Sequence, residues 1–233
     1  MKNLIFPAII MACLICFSLG CDKEKNTTGI GNVTTSSMAT TSTGADPELL
    51  QQDSALDTAN AYAREAERNG DWDKAITEFT KVIQANPKSD AAYYRRGLCW
   101  HAKGEISDAD SDFNKAIDDF TAAIRLNPRH SLAYSARGWS FLMMDMFDEV
   151  IADCTKSIEL NPNDARTYNC RALAYTIGTD EYDKAIADRN KAIQIDPKNP
   201  DSYFGRGKAY EAKGDMQKVR ADFARAKELG YTP

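Results

Sequence analysis

A recurring period constrains this chain more than any single motif. Pro128 and Pro162 lie 34 residues apart. The pattern between them is Tyr134, Arg137, Gly138 and Phe141, then Val150, Ile151 and Ile158. It recurs with changed spelling before and after. One such unit cannot bury its apolar faces alone, and stacked neighbours can. The expected fold class is therefore all-α, a helix-turn-helix solenoid. Its five units fall near residues 56–89, 90–130, 131–164, 165–199 and 200–233.

The departures from the period can be placed. Pro87 lies 41 residues before Pro128, seven more than the repeat. After a turn expected at Gly104, residues 109–116 and 116–123 repeat one apolar pattern. Seven residues are almost two helical turns and rotate a face by only about 20°. The expectation is a second helix lengthened by about 10 Å and unbroken between Ala109 and Leu126. The step from Pro162 to Pro197 is 35 residues, and the extra one belongs in the turn at 178–181. Structure should begin near Asp46-Pro47-Glu48, where Asp suits an N-cap and Pro the first helical position. Gly70-Asp71 should turn the chain, and Gly230 should close the last helix.

These residues resemble the tetratricopeptide repeat over about three-quarters of the chain. The first-helix signature reads Tyr93/Gly97/Trp100, Tyr134/Gly138/Phe141, Tyr168/Ala172/Tyr175 and Tyr203/Gly207/Tyr210. The second-helix signature reads Ala75/Phe79/Pro87 and Ala185/Ala192/Pro197. Cys154 and Arg189 depart from it, standing where an aromatic is usual. The resemblance implies a right-handed superhelix whose first helices line a concave groove for peptides. Carried over, the groove takes Tyr94, Leu98 and His101, then Ser135, Trp139, Leu142 and Met143. Asn169, Leu173 and Ile177 follow, then Phe204, Lys208 and Glu211, with Asn60, Arg64 and Glu67 from the first unit. Its middle is apolar and its ends are charged. Tyr94, Leu98, Trp139, Leu142, Met143, Leu173, Ile177 and Phe204 are the partner-binding candidates.

A second recurrence is charged. Arg96, Arg137, Arg171 and Arg206 sit on first helices, and Asp112, Asp153, Asp188 and Asp222 on second helices. Arg–Asp pairing is expected. Ile76/Ile83, Ile117/Ile124, Ile151/Ile158 and Ile186/Ile193 recur seven apart, but Arg220 and Lys227 replace them in the last unit. A polar outer face there suits a terminal repeat.

Nothing in the chain points to an enzyme, a cofactor or a metal. The two histidines, His101 and His130, lack a metal-ligand partner set. There is no nucleophile elbow, and Gly29-Ile30-Gly31 is no phosphate loop. A net charge of −5 argues against a nucleic-acid partner.

Residues 1–20 read as an export signal: Lys2, then an apolar run from Leu4 to Leu19. Ser18-Leu19-Gly20-Cys21 resembles a bacterial lipobox, with Ser18 where Leu is usual. It implies acylation of Cys21, as by palmitate, and a lipid anchor. An uncleaved anchor, a plain secretory signal and an alternative site at Cys13 stay open. Residues 21–45, rich in Thr and Ser, read as a flexible tether, and 46–233 as the repeat domain. Lipidation of Cys21 leaves Cys99, Cys154 and Cys170. They are expected as buried small hydrophobes, with a Cys154–Cys170 bridge open. The functional expectation is an exported, membrane-anchored lipoprotein facing the periplasm or cell exterior, a scaffold holding a protein or peptide partner. The alternatives are an accessory regulator of an envelope hydrolase or protease, and a structural homo-oligomer.

Overall fold

In the computed structural model, residues 57–59, 61–62, 65–66 and 68–232 are described. The signal, Cys21, the tether and the helix start near Asp46 lie outside them. Residues 57–59, 61–62, 65–66 and 68–69 are helical wherever described, and lead through Gly70 (φ 70°) into α1. Then come α1 (Trp72–Ala85), α2 (Asp90–Ser107), α3 (Asp110–Leu126), α4 (Ser131–Met143), α5 (Phe147–Leu160), α6 (Ala165–Ile177), α7 (Tyr182–Ile195), α8 (Pro200–Ala212) and α9 (Met216–Glu228). Each packs on its sequence neighbours, and α2, α4, α6 and α8 stack on one another as first helices.

The Asx-Pro steps end second helices by a shared device. The backbone N–H of Asn86, Asn127, Asn161 and Asp196 closes the last helical turn, each at 2.8 Å. Their side-chain oxygens then accept from the N–H two residues on, in Lys88, Arg129, Asn163 and Lys198, at 3.1–3.2 Å. The intervening proline has no N–H to leave orphaned. The last helix ends differently. Gly230 (φ 94°) lets Gly230 N–H reach the Lys227 carbonyl and Tyr231 N–H the Ala226 carbonyl, at 3.0 and 2.9 Å.

Within a unit, a missing side chain on the first helix admits a ring from the second. A Cβ on Gly97 would stand 2.7 Å from the Phe120 ring, and one on Gly207 2.6 Å from Phe223. At Gly138 the opposing atom is only Cys154 Sγ, 3.1 Å away. Arg189, in the aromatic slot of α7, is buried and turns away to the next unit. Its guanidinium lies 2.4 Å from where a Gly205 Cβ would be, and it donates to Asn169 Oδ1 at 3.0 Å.

The seven extra residues of the second unit are shared between its two helices. Helix α2 has 18 residues against 13 in α4, and α3 has 17 against 14 in α5. The second helix is unbroken but gains only three residues, about 4.5 Å and not the expected ~10 Å, and the larger part extends the first. Gly104 is not the turn. It lies inside α2, a would-be Cβ 3.0 Å from the Phe113 ring. Asp108, in the left-handed region, ends the helix instead. Gly104–Phe113 thus repeats the Gly97–Phe120 contact one step out along an antiparallel pair.

Cys99, Cys154 and Cys170 are buried and form no disulfide, Cys154 and Cys170 lying in one cluster with Val150, Leu142, Leu173 and Ala174. Arg220 and Lys227 are exposed on α9.

Candidate functional site

The first helices carry the expected groove positions, and the structure divides them into three kinds. Leu142 (1% exposed) and Leu173 (9%) are core residues beneath the surface and offer a partner little. Trp139 and Met143 are half-buried and pack on the same cluster from outside. Tyr94 and Leu98 sit likewise over Ala116, Phe120 and Ala136. Phe204 is half-buried and stacked between Phe223 and Tyr231, with ring centroids at 5.2 and 4.2 Å. Ile177 is exposed at the end of α6.

The third kind is polar, and joins helices. His101, 3% exposed, contacts Ser140 Oγ at 2.9 Å and Glu105 at 3.0 Å. Ser140 is fully buried, so no substrate reaches its hydroxyl, and the trio links the second and third units. Ser135 accepts from Thr167 at 2.8 Å, and Asn169 donates to Ser202 at 2.8 Å. Lys208 is the exception, pairing with Glu211 within α8 at 2.5 Å. Asn60, Arg64 and Glu67 fall outside the described residues. Thr167 and Ser202 escaped the sequence reading, although each occupies the third position of its first helix.

The Arg–Asp pairing takes a regular form. Arg137, Arg171 and Arg206 each donate twice to Asp153, Asp188 and Asp222, at 2.7–2.8 Å. Arg96 pairs with Asp119, not with the expected Asp112, which instead binds Lys115. Asp119 keeps the family spacing of nine residues before the proline, and Asp112 is displaced by the inserted seven. Each Arg also donates to the preceding second helix, at Thr80, Thr121, Thr155 and Asn190. These four stand seven residues before a proline, a recurrence the sequence displayed but the pairing expectation missed. Each guanidinium lies 5.6–6.0 Å from the Tyr ring three residues earlier. The hydrogen bond to Asp119 raises the Arg96 pKa, while burial pushes the Asp119 carboxyl up against the pull of Arg96. Burial likewise raises Asp201, opposed by Arg189.

Family models for tetratricopeptide repeats match residues 60–109, 97–130, 154–187 and 180–214, together more than half of the chain. The chain belongs to the tetratricopeptide repeat family. The matches leave out 131–153, where α4 and α5 nonetheless carry the same Arg, Gly and Asp. No curated protein matches the sequence. Among solved structures, MamA is 28% identical, with a TM-score of 0.63 over 72% of this chain and 93% of that one. YrrB, described as a tetratricopeptide protein with an unusual peptide-binding site, is 16% identical, TM-score 0.60, over 80% and 94%. PilF of Pseudomonas aeruginosa is 12% identical, TM-score 0.69, over 78% and 80%. The last two show the fold alone. Repeats of this kind make the chain a protein-interaction scaffold. Among the described residues no helix is long and apolar enough to cross a membrane, and no His/Cys/Asp/Glu group could hold a metal.

Proposed function

We propose that the chain is a membrane-tethered scaffold of the bacterial cell envelope, holding a protein partner on the face of its stacked first helices. The carrying observation is the set Tyr94, Leu98, Trp139 and Met143. These large side chains are left half-exposed above a floor already filled by Leu142, Phe120 and Ala136. Surplus apolar surface over a complete core favours a partner. The polar positions among them are tied into inter-helix bonds, so the floor is pre-organised. The description of YrrB, which shares the fold, as having an unusual peptide-binding site supports this reading. Tethering rests on the sequence of residues 1–21.

Crosslinking from position 143 in the native envelope, with the captured partner identified, tests the groove. Trp139→Ala and Met143→Ser should each weaken binding of that partner at least tenfold, about 1.4 kcal/mol. Unchanged binding in both refutes the groove. Cys21→Ala should abolish incorporation of labelled fatty acid, and undiminished labelling refutes the tether.

A further inference from the structure

The exposed large hydrophobic residues do not all belong to the groove. Those of the described residues are Ile106 (71%), Met146 (37%), Ile177 (39%) and Met216 (50%). Each lies at a turn between the first and second helix of its unit, one per unit from the second to the fifth. All such turns fall on one edge of a helix-pair solenoid, so the four form a row. First helices stack roughly 10 Å apart, giving a row of about 30 Å. Ile106 ends the row on the lengthened α2, whose five extra residues raise it by about 7 Å. None of the four is needed to fill the core.

The charge along this edge says what fits it. Three of its turns place an aspartate in the left-handed region: Asp108 (φ 50°), Asp145 (57°) and Asp180 (55°). Gly70 and Gly214 fill that position in the other turns without strain. Asp148 and Glu149 follow Met146, exposed like Asp108 and Asp145. No cation lies within ion-pair distance of these four carboxylates among the described residues. The opposite edge, at the Asx-Pro loops, carries Lys88, Arg129 and Lys198 in three of its four loops, with Arg166 paired to Asp164 at the fourth and Asp90, Asp196 and Asp201 among them. The lysines of the turn edge, Lys103, Lys184, Lys213 and Lys218, are each paired with another carboxylate, so Asp108, Asp145, Asp148 and Glu149 leave an excess of negative charge beside the apolar row. It repels a second copy of this edge and an anionic lipid surface, and attracts a cationic segment.

We propose that this turn edge is a second docking surface, taking a cationic amphipathic segment of a protein. Its apolar side chains would cover Ile106, Met146 and Met216, and its Lys or Arg residues would meet the turn aspartates. Ile177 belongs to both the row and the first-helix face, but Ile106, Met146 and Met216 lie outside the groove positions, so the two surfaces can be occupied together.

A labelled 18-residue amphipathic Leu/Lys peptide tests the proposal on the full chain, with a Leu/Glu peptide of the same pattern as control. The Leu/Lys peptide should bind, and the Leu/Glu peptide should not. Ile106→Ser/Met146→Ser/Met216→Ser should weaken binding at least tenfold. Asp145→Asn/Asp148→Asn/Glu149→Gln should weaken it several-fold and flatten its salt dependence. Circular dichroism checks that both variants fold. Trp139→Ala, which addresses the groove, should leave this binding unchanged. Equal affinity in the serine variant, or loss on Trp139→Ala, overturns the proposal. So do equal binding of the Leu/Glu peptide, self-association lost in the serine variant, and binding of phosphatidylglycerol vesicles through the same three residues.

Discussion

Gly→Ala at equivalent positions of successive units should change sign with what the second helix places opposite. Alanine gains about 0.8–1 kcal/mol over glycine in a helix interior. At Gly97 the new Cβ would lie 2.7 and 2.9 Å from the Phe120 ring, which is fully buried and has nowhere to move. Overpacking of this kind costs about 1–3 kcal/mol. The balance is a net loss of up to about 2 kcal/mol, a fall in Tm of up to about 8 °C for a domain of this size. At Gly138 the nearest atom is Cys154 Sγ at 3.1 Å, and the next two lie at 3.7 and 3.8 Å. A shift of a few tenths of an ångström relieves that contact, so Gly138→Ala should be neutral or stabilising by up to about 0.5 kcal/mol. Thermal and urea unfolding of both variants, followed by circular dichroism, measure the difference. Adding Phe120→Leu to Gly97→Ala should recover part of the loss. Equal destabilisation at the two glycines would refute the argument that the opposing side chain, rather than the glycine position, sets the cost.

Arg137→Met leaves Asp153, 9% exposed, without its cation. The expected cost is about 2–4 kcal/mol, and Arg137→Met/Asp153→Asn should regain more than half of it in a double-mutant cycle of urea unfolding. Gly205→Ala should cost about 1–3 kcal/mol of stability, because the Arg189 guanidinium it strikes is anchored to Asn169. The Asp215 N-cap carboxyl is held below its usual value by hydrogen bonds from Lys218. Its contribution is full above its unfolded pKa of about 4 and is lost as pH falls through the lower folded value. Asp215→Asn should therefore flatten the decline of stability measured by acid titration below pH about 4.

The period, the prolines and the signature glycines were legible because each is a local demand that one residue type meets. The Arg–Asp pairs were legible wherever the count from the proline is undisturbed. Asp112 stands eight residues after Gly104, as Asp153 does after Asp145, but Gly104 is not the turn and the insertion leaves Asp119 at the count from the proline. How seven residues divide between two helices was not legible, because two turns keep the apolar stripe in line whichever helix receives them. Nor was the role of His101, Ser135 and Asn169. Spacing places a polar side chain on a face, but the partner that claims it sits some 32–39 residues away.

The Thr–Arg–Asp contacts have a mechanical consequence. Each arginine grips the aspartate of its own unit with two charge-assisted bonds and the preceding unit with one bond, to a hydroxyl or, at Asn190, an amide oxygen. Asp119 and Thr121, Asp153 and Thr155, Asp188 and Asn190 stand two residues apart, so the contacts form one spine along the array. Under bending, the single bonds between units yield first and the units stay whole. A change of curvature trades these four joints, together with the His101–Ser140, Thr167–Ser135 and Asn169–Ser202 contacts between units, before it loosens any helix pair.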